Sequence, residues 1–288
     1  MKKRTSLFTT IFFTIVLFVG LSVMLYPVVS DWWNKQVTSQ AVASYNSTIV
    51  DMKEDETEAL LEEARAYNRA LASLPAPFAD YAQLDGYADI LDISKTGIMG
   101  YISIPVIGVE LPIYHGTSDE VLNIAAGHLE GSSIPVGGES THAVISAHRG
   151  LPSAKLFTNL DRVVVGDVFT ITILNQVYTY QVEEILIVKP YEMDKLAMIP
   201  GKDYVTLMTC TPYGVNTHRL LLRSHRIATE FHLDVKIVAD AMKVDPLLVV
   251  PLISAPLLVI LLCFWIFGGK RKKKKTSLEY LIYTKERR

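Results

Sequence analysis

Apolar positions are distributed unevenly along the chain and divide it into three parts. Two uncharged apolar runs, residues 5–30 and residues 246–269, lie near the ends. Each run is long enough to cross a bilayer as a helix, which takes about 20 residues. Between them, apolar residues come in short runs separated by turn residues. The pattern therefore predicts a membrane helix at each end and a folded region between them.

Basic residues flank both apolar runs on the sides that face away from the central region. Residues 2–4 precede the first run and residues 270–275 follow the second. Because cytoplasmic flanks of membrane helices are enriched in Lys and Arg, we expect both ends in the cytoplasm. Residues 1–30 then hold a basic start and a transmembrane helix, residues 246–269 a second transmembrane helix, and residues 270–288 a basic tail. The prediction is a two-span cell-membrane protein, in contact with the lipid bilayer, whose central region is extracellular.

A cleaved signal peptide is the alternative for the first apolar run. Ala41-Val42-Ala43 resembles a cleavage site. However, this site lies well beyond the run, and the run is longer than the apolar core of an ordinary signal peptide. We therefore expect a transmembrane helix or uncleaved signal anchor in residues 1–30.

The segment after the first run has the composition of a helix. Residues 34–74 contain neither Gly nor Pro and are rich in Ala, Glu, Gln and Arg. We predict an extracellular helical stalk over residues 31–74, broken near Asn46-Ser47. Residues 75–96 show no period and predict a surface loop.

From residue 97 onward the pattern is typical of a β protein. Short apolar runs occupy residues 98–104, 109–114, 142–147, 168–174, 177–188, 205–210 and 217–223. Glycines lie between or beside these runs, and only two short inserts, at 120–126 and 154–160, favour helix. Seven or eight short strands in this length predict a closed β-barrel over residues 97–235. A linker at 236–245 would join it to the second apolar run.

A cysteine and an arginine occupy two adjacent predicted strands. Residues 204–226 alternate between the two faces of a strand, on both sides of a turn at Pro212-Tyr213-Gly214. Cys210 ends the first strand and Arg219 lies on the second. Positive charge favours the thiolate over the thiol, so Cys210 is a candidate nucleophile.

A buried cysteine that only fills space is the alternative for Cys210. Two observations argue against it. Thr209 and Thr211 flank Cys210 where a packed strand would carry apolar residues, and the other cysteine, Cys263, lies inside the second apolar run. The exported region thus holds a single thiol and no intrachain disulfide, which favours a chemical use.

Histidine is the usual proton donor and acceptor beside a reactive thiol. The chain has seven: His115, His128, His142, His148, His218, His225 and His232. His148 follows an apolar strand and precedes Arg149-Gly150, so it lies at a strand-to-loop junction, as Cys210 does. His218 is the local competitor, but strand alternation places it on the opposite face from Arg219.

The Cys210 and Arg219 blocks resemble the active-site signature of the sortases, and more narrowly of the class C sortases that assemble pili in Gram-positive bacteria. The resemblance rests on Thr206-Leu207-x-Thr209-Cys210, the Thr-Pro-Tyr-Gly turn and Arg219-Leu-Leu, and it covers roughly residues 97–226. The block around His148 is similar to the catalytic histidine block of that family. The resemblance implies an eight-stranded sortase barrel.

The resemblance also implies a reaction. Cys210 would be the nucleophile, His148 the general acid and base, and Arg219 the group that stabilises the oxyanion or the substrate, with Thr209 in support. The enzyme would be a cysteine transpeptidase, grouped with hydrolase-type cysteine peptidases, that cleaves an LPxTG-like sorting signal between Thr and Gly and joins the acyl group to a pilin lysine. Its partners would be pilins or surface proteins that carry such signals. No cofactor and no metal are implied.

Class C sortases carry a lid over the active site, a loop with an Asp-Pro-aromatic motif. Residues 75–96 would form this lid, and they offer Ala76-Pro77-Phe78, which has the aromatic residue without the aspartate. We therefore expect a weakly held lid in which Phe78 covers the catalytic pair by apolar contact. An ordinary linker is the alternative.

Two other functions remain open from the sequence. One is a sortase that anchors surface proteins to peptidoglycan, with the same triad and a different acceptor amine. The other is a non-catalytic, membrane-tethered β-barrel that binds a partner and has a structural cysteine. Nucleic-acid binding is not expected, because acidic residues outnumber basic residues between residues 31 and 245.

Overall fold

The computed structural model describes residues 2–229, 254 and 256. They belong to two compact units, and the chain passes from one to the other between Val29 and Ser30. The predicted linker at 236–245 and tail at 270–288 lie outside the described residues. So does the predicted second transmembrane helix at 246–269, apart from residues 254 and 256.

The first unit holds the start of a long helix, α1, which spans Lys2–Val50. From Ile11 onward, α1 is long and apolar enough to cross a membrane, with a mean hydropathy of 2.4 and no burial over its most apolar window. The predicted helix over the first apolar run is therefore confirmed. This apolar helix supports membrane anchoring at the N-terminal end.

In the second unit, the end of α1 is followed by helix α2, Glu54–Ala72. The predicted break near Asn46-Ser47 is wrong, because α1 continues through both residues and the chain leaves the helix at residues 51–53. The Ser47 hydroxyl donates to the Ser44 carbonyl at 2.7 Å. This bond inside the helix satisfies a polar side chain that otherwise competes with helical structure.

Both helical segments of the second unit contribute to its hydrophobic core. Tyr45 of α1 is buried, and its hydroxyl donates to the Met99 carbonyl at 3.0 Å and accepts from the Leu174 N–H at 2.9 Å. Leu61 of α2 is fully buried in the same core. Burying one such side chain contributes roughly 1.5–3 kcal/mol. Helices α1 and α2 thus each contribute buried side chains to the core of the second unit.

The rest of the second unit is built from eight strands. They are β1 Ile98–Ile104, β2 Val109–His115, β3 Ala126–His128, β4 Thr141–Ser146, β5 Val168–Ile173, β6 Gln176–Val188, β7 Asp203–Thr211 and β8 His218–Ile227. They pair in the order β1-β2-β3-β4-β7-β8-β6-β5, and β5 pairs with β1 to close the barrel. The predicted closed eight-stranded barrel is confirmed.

Short helices and turns lead from α2 to β1 and connect several of the strands. They are α3 Pro77–Asp80, α4 Asp119–Leu122 and the 3-10 turns Tyr81–Gln83, Tyr87–Asp89, Pro105–Ile107, Leu160–Arg162 and Asp194–Leu196. The predicted insert at 120–126 overlaps α4. The predicted helix at 154–160 is wrong, because Leu156 has a φ of 39°, which breaks a right-handed helix.

Candidate active site

Cys210 is the penultimate residue of β7, and the strand period determines its exposure. Val205 and Leu207 lie in the barrel core, whereas Met208 packs in a second, separate apolar cluster. Cys210 follows Met208 by two residues, so both face away from the core. Its neighbour Thr209 is buried, and Cys210 itself is only partly buried. The thiol therefore lies at a strand end with access from outside the barrel.

His148 reaches the same edge of the barrel through parallel pairing. β4 runs parallel to β7, with Ser146 beside Met208. The pairing continues one residue further, since the Ala147 N–H donates to the Met208 carbonyl at 3.2 Å. Two steps along each strand from the Ser146–Met208 pair lead to His148 and to Cys210. The parallel register thus brings the end of β7, with Cys210, and the residues that follow β4, with His148, to the same edge of the barrel, although the two are far apart in the sequence.

Thr209 holds the strands of Cys210 and His148 against each other. Its hydroxyl donates to the Ala147 carbonyl at 2.8 Å, and Thr209 is 1% exposed. The backbone carbonyl of His148 in turn accepts from the Phe157 N–H at 3.1 Å. The hydrogen of the Thr209 hydroxyl is thus engaged in joining two strands and is not directed towards the side of the thiol.

Arg219 is the residue of β8 paired with Cys210 in the antiparallel β7–β8 ladder. Residues paired in this way place their side chains on the same face. Nη1 of Arg219 donates to the carbonyls of His218 at 3.2 Å and Asn216 at 3.4 Å. These bonds hold the guanidinium along the β7–β8 turn. Nε and Nη2 have no partner among residues 2–229 and can donate to a ligand.

Two other histidines, His128 and His142, are engaged elsewhere in the fold. His128 is fully buried between Tyr87 and Ser133, and burial lowers its pKa to about 4. Burial also lowers the pKa of His142, whose ring contacts the Ala197 carbonyl. Both are neutral structural groups at physiological pH. Their rings are held away from the edge where Cys210 lies.

His218 fails as a competitor for His148 because of its position on β8. It pairs with Thr211 and contacts the Thr217 hydroxyl at 2.9 Å. Alternation along β8 places its ring on the opposite face from Arg219. His232 lies outside the described residues.

Ala76-Pro77-Phe78 lies against the barrel on the side of Met208. Phe78 packs in the apolar cluster that contains Met208, two residues before Cys210, and Val144, four residues before His148. The approach is close at Gly131, where a Cβ would lie 2.9 Å from the Cα of Phe78. A side chain at Gly131 would therefore displace this segment.

The carboxylate of Asp80, two residues after Phe78, accepts hydrogen bonds within its own turn. Asp80 accepts from the Ala76 N–H and from Gln83 Nε2, both at 3.1 Å. Both oxygens of its carboxylate are therefore engaged within the loop. The segment is held on the barrel face through Phe78, without an acid directed at the thiol.

One contact of the site had no signal in the sequence. Arg149, next to His148, lies 5.7 Å from the ring centroid of Tyr213 and pairs with Asp161. Gly150 has a φ of 79°, and a Cβ there would be 3.2 Å from the Tyr213 ring. Tyr213 thus joins the loop after His148 to the turn after Cys210. Only the glycine, which permits this φ, is a hint readable from the sequence.

The described residues contain no group of three or more His, Cys, Asp or Glu side chains that could hold a metal ion. The chemistry available at this edge is that of a thiol, an imidazole and a guanidinium. This combination suits nucleophilic attack on a carbonyl and stabilisation of the resulting oxyanion.

Comparisons with known proteins agree with this geometry. Residues 102–227 match the sortase domain family. The crystal structure of sortase C1 from Streptococcus agalactiae is 47% identical, with a TM-score of 0.61, and the match covers 66% of this chain and 100% of that one. Sortase C from Streptococcus pneumoniae is 42% identical, with a TM-score of 0.60, over 66% of this chain and 97% of that one.

A curated relative matches over a shorter stretch. Sortase A from Streptococcus agalactiae serotype III is 35% identical over 117 residues, which is 40% of this chain and 47% of the relative. The match thus spans about half the length of that relative. The closed barrel, the match to the sortase domain, and the near-complete coverage of two sortase C structures lead to one conclusion. The chain belongs to the sortase family and, within it, to the class C sortases.

Proposed function

We propose that the chain is a membrane-anchored cysteine transpeptidase that polymerises pilins. It cleaves an LPxTG-like sorting signal between Thr and Gly, holds the acyl half as a thioester on Cys210, and transfers it to a lysine amine of another pilin. The observation that supports the proposal is the strand register, which pairs Cys210 with Arg219 and aligns the end of β4, two residues before His148, with Met208, two residues before Cys210.

In the first half-reaction, Sγ of Cys210 attacks the threonine carbonyl. The Sγ–C bond forms while negative charge develops on the carbonyl oxygen, and the free donors of Arg219 stabilise that charge. His148 donates a proton to the glycine nitrogen as the C–N bond breaks. The products are a thioester and a free glycine amine.

In the second half-reaction, the lysine amine attacks the thioester carbonyl. His148 accepts the proton that the amine loses, and the thiolate of Cys210 leaves. An isopeptide bond has formed and the enzyme has returned to its starting state. Thr209 contributes as a positioning residue, because its hydroxyl bond keeps the strand of Cys210 against the strand of His148.

The choice of a pilin as acceptor is supported by the solved relatives. The sortase C of Streptococcus pneumoniae was described in terms of pilin substrate specificity, and a sortase C1 belongs to a pilus island of group B Streptococcus. The alternative acceptor is a peptidoglycan amine, which would make the chain an anchoring sortase. The two differ in the second half-reaction alone.

The experiment that tests the function follows the acyl group. The full-length protein in detergent is incubated with an LPxTG peptide and examined by mass spectrometry, beside Cys210→Ala. The expected result is a mass increase equal to the acyl half of the peptide, absent from the variant. A pilin and a peptidoglycan fragment are then offered as acceptors, and the product shows which one is used. No adduct on either protein would favour the binding-module alternative.

The membrane arrangement is part of the proposal. The apolar helix α1 supports an anchor at the N-terminal side. The uncharged run at 246–269 with its basic flank supports a second span and cytoplasmic termini. Reporter fusions at both termini would report cytoplasmic location for each. An extracellular C-terminus would contradict the second span.

We also propose that Phe78 holds a lid over the thiol. Phe78 contacts the apolar cluster around Met208, close to the catalytic edge. Because Phe78 is only partly buried and the segment lacks the aspartate of the lid motif, we expect the lid to be weakly bound to the barrel. Such a lid would limit access of the sorting signal until it opens.

A further inference from the structure

The second half of β6 is a strand edge that the described chain leaves open. β5 pairs with β6 only as far as Gln181. Beyond it, Val182 exchanges backbone hydrogen bonds with Gly166 and Asp167, at 2.8 and 2.9 Å. Residues 184–188 then pair with β8 on one side. Within residues 2–229, nothing is hydrogen-bonded to their other side. We call this stretch the β6 edge.

The apolar side chains of the β6 edge are exposed because a neighbouring strand is missing. Ile185 and Ile187 pair with Leu222 and Leu220 of β8, which are buried in the barrel core. Paired residues share a face, so the two isoleucines belong to the core-facing side of the sheet. Yet Ile185 is 37% exposed and Ile187 is 65% exposed. A strand beside them would bury both.

Two valines extend this apolar surface. Val164 and Val165 are 58% and 59% exposed, and they precede Gly166, whose N–H bonds to Val182 at the start of the open stretch. Natural proteins usually protect strand edges with charge, proline or a covering segment. A run of exposed isoleucine and valine on an open edge is instead typical of an interaction site.

An open strand edge selects one kind of partner. Its free backbone N–H and C=O groups bind an extended polypeptide, which adds a strand to the sheet and places alternate side chains against the apolar surface. The partner is therefore a protein segment in extended conformation with apolar side chains on one face.

The distance between the β6 edge and Cys210 indicates whether the sorting signal or the acceptor can bind at this edge. Val188 pairs with Arg219, which pairs with Cys210. A strand added beyond β6 would lie three strand spacings from β7, about 14 Å. Its own carbonyls could not reach Sγ, so it cannot be the cleaved sorting signal. A chain that continues past its end would cover this distance in about four residues.

We propose that the β6 edge binds an extended apolar strand of the acceptor pilin and so directs its lysine towards the thioester. The inference rests on the proposed transpeptidase function. Phe78 packs in the apolar cluster that contains Leu186 and Val188, which alternate along β6 with Ile185 and Ile187 and so lie on the other face of the β6 edge.

The test separates the two half-reactions. Ile187→Lys puts a charge on the edge, and Val106→Lys makes the same change at a residue that is 53% exposed in the turn Pro105–Ile107. Each full-length protein in detergent receives an LPxTG peptide as donor. The acceptors are hydroxylamine, which needs no docking, and a purified pilin whose own sorting signal has been removed.

We expect Ile187→Lys to lower transfer to the pilin about tenfold, an effect of the size seen at central interface residues. Thioester formation and release by hydroxylamine should stay within about twofold of the unchanged protein, because neither needs a docked strand. Val106→Lys should leave all three unchanged. In the unchanged protein, addition of the pilin should slow hydrogen exchange at the amides of the β6 edge.

Three results would overturn the inference. Normal transfer to the pilin by Ile187→Lys, or unaltered hydrogen exchange at the β6 edge, would show that no strand docks there. Slower thioester formation in Ile187→Lys would show that the edge acts in the first half-reaction and does not serve the acceptor. A failure of the proposed function looks different, because the unchanged protein would then either form no thioester or form one that hydroxylamine releases and the pilin does not.

Discussion

The bond from Thr209 to Ala147 offers a direct test of how the strands hold the catalytic pair. Thr209→Val keeps the shape of the side chain and removes the hydroxyl that donates at 2.8 Å. The Ala147 carbonyl then loses this donor in a buried place, which costs about 1–3 kcal/mol of unfolding free energy. For a domain of this size, that cost lowers Tm by roughly 2–12 °C. Thioester formation should fall by at least about tenfold, since small displacements of a nucleophile are costly.

The same chain offers a matched control. Thr211 lies on the other side of Cys210, is 8% exposed, and its hydroxyl has no hydrogen-bond partner among the described residues. Thr211→Val should therefore leave both quantities nearly unchanged. Thermal unfolding followed by circular dichroism gives Tm, and single-turnover mass spectrometry gives the rate of thioester formation. If the two variants behave alike, the hydroxyl bond does not position Cys210, and the reasoning is wrong.

Three further predictions follow from other contacts. Phe78→Ala should raise the rate at which iodoacetamide alkylates Cys210 roughly fivefold, because about 1 kcal/mol of half-buried apolar contact is lost. The control is Asp80→Asn, which keeps a side-chain oxygen that can accept the hydrogen bonds of its turn. Equal alkylation rates in the two variants would exclude a lid. Arg219→Lys keeps the charge but loses the planar donor fork, so the rate of thioester formation should fall about 100-fold; a fall of less than threefold would remove Arg219 from the mechanism. His128 has a folded-state pKa of about 4, below its unfolded value. Its neutral form stabilises the fold above about pH 6.5, and this contribution is lost as the pH falls towards 4, by about 3 kcal/mol in all. His128→Gln should make the unfolding free energy less steep in pH over that window, and an unchanged slope would refute this.

The sequence predicted the parts of the fold that have a clear period. Two strands and a turn were predicted for residues 204–226, because the alternation of side chains between the two strand faces extends over enough residues to be recognised. The structure has β7 and β8 there. β3 was missed because Ala126–His128 has three residues, too few for any period. The helix expected at 154–160 failed because its buried residues, Ala154, Leu156 and Phe157, are packed by an irregular loop, which spacing alone does not distinguish from a helix.

The sequence identified the individual candidate residues of the site, but it did not predict how the strands position them relative to one another. Cys210 and Arg219 lie on neighbouring strands in the sequence, so their pairing followed from the turn between them. The parallel pairing of β4 with β7 joins distant segments, and no local pattern encodes it. The contact between Tyr213 and the loop after His148 depends on the same long-range pairing. The catalytic roles of Cys210, His148 and Arg219 stay predictions until the variants are measured.

The parallel pairing of β4 with β7 also affects when the catalytic residues come together during folding. Thr209 and Ala147 are 62 positions apart in the chain, and strand pairs of large sequence separation form slowly during folding. A chain that has not finished folding would therefore carry its thiol and its imidazole apart until the barrel closes. Under the proposed function, reactivity would appear only in the folded enzyme, so topology itself would delay acylation until folding is complete.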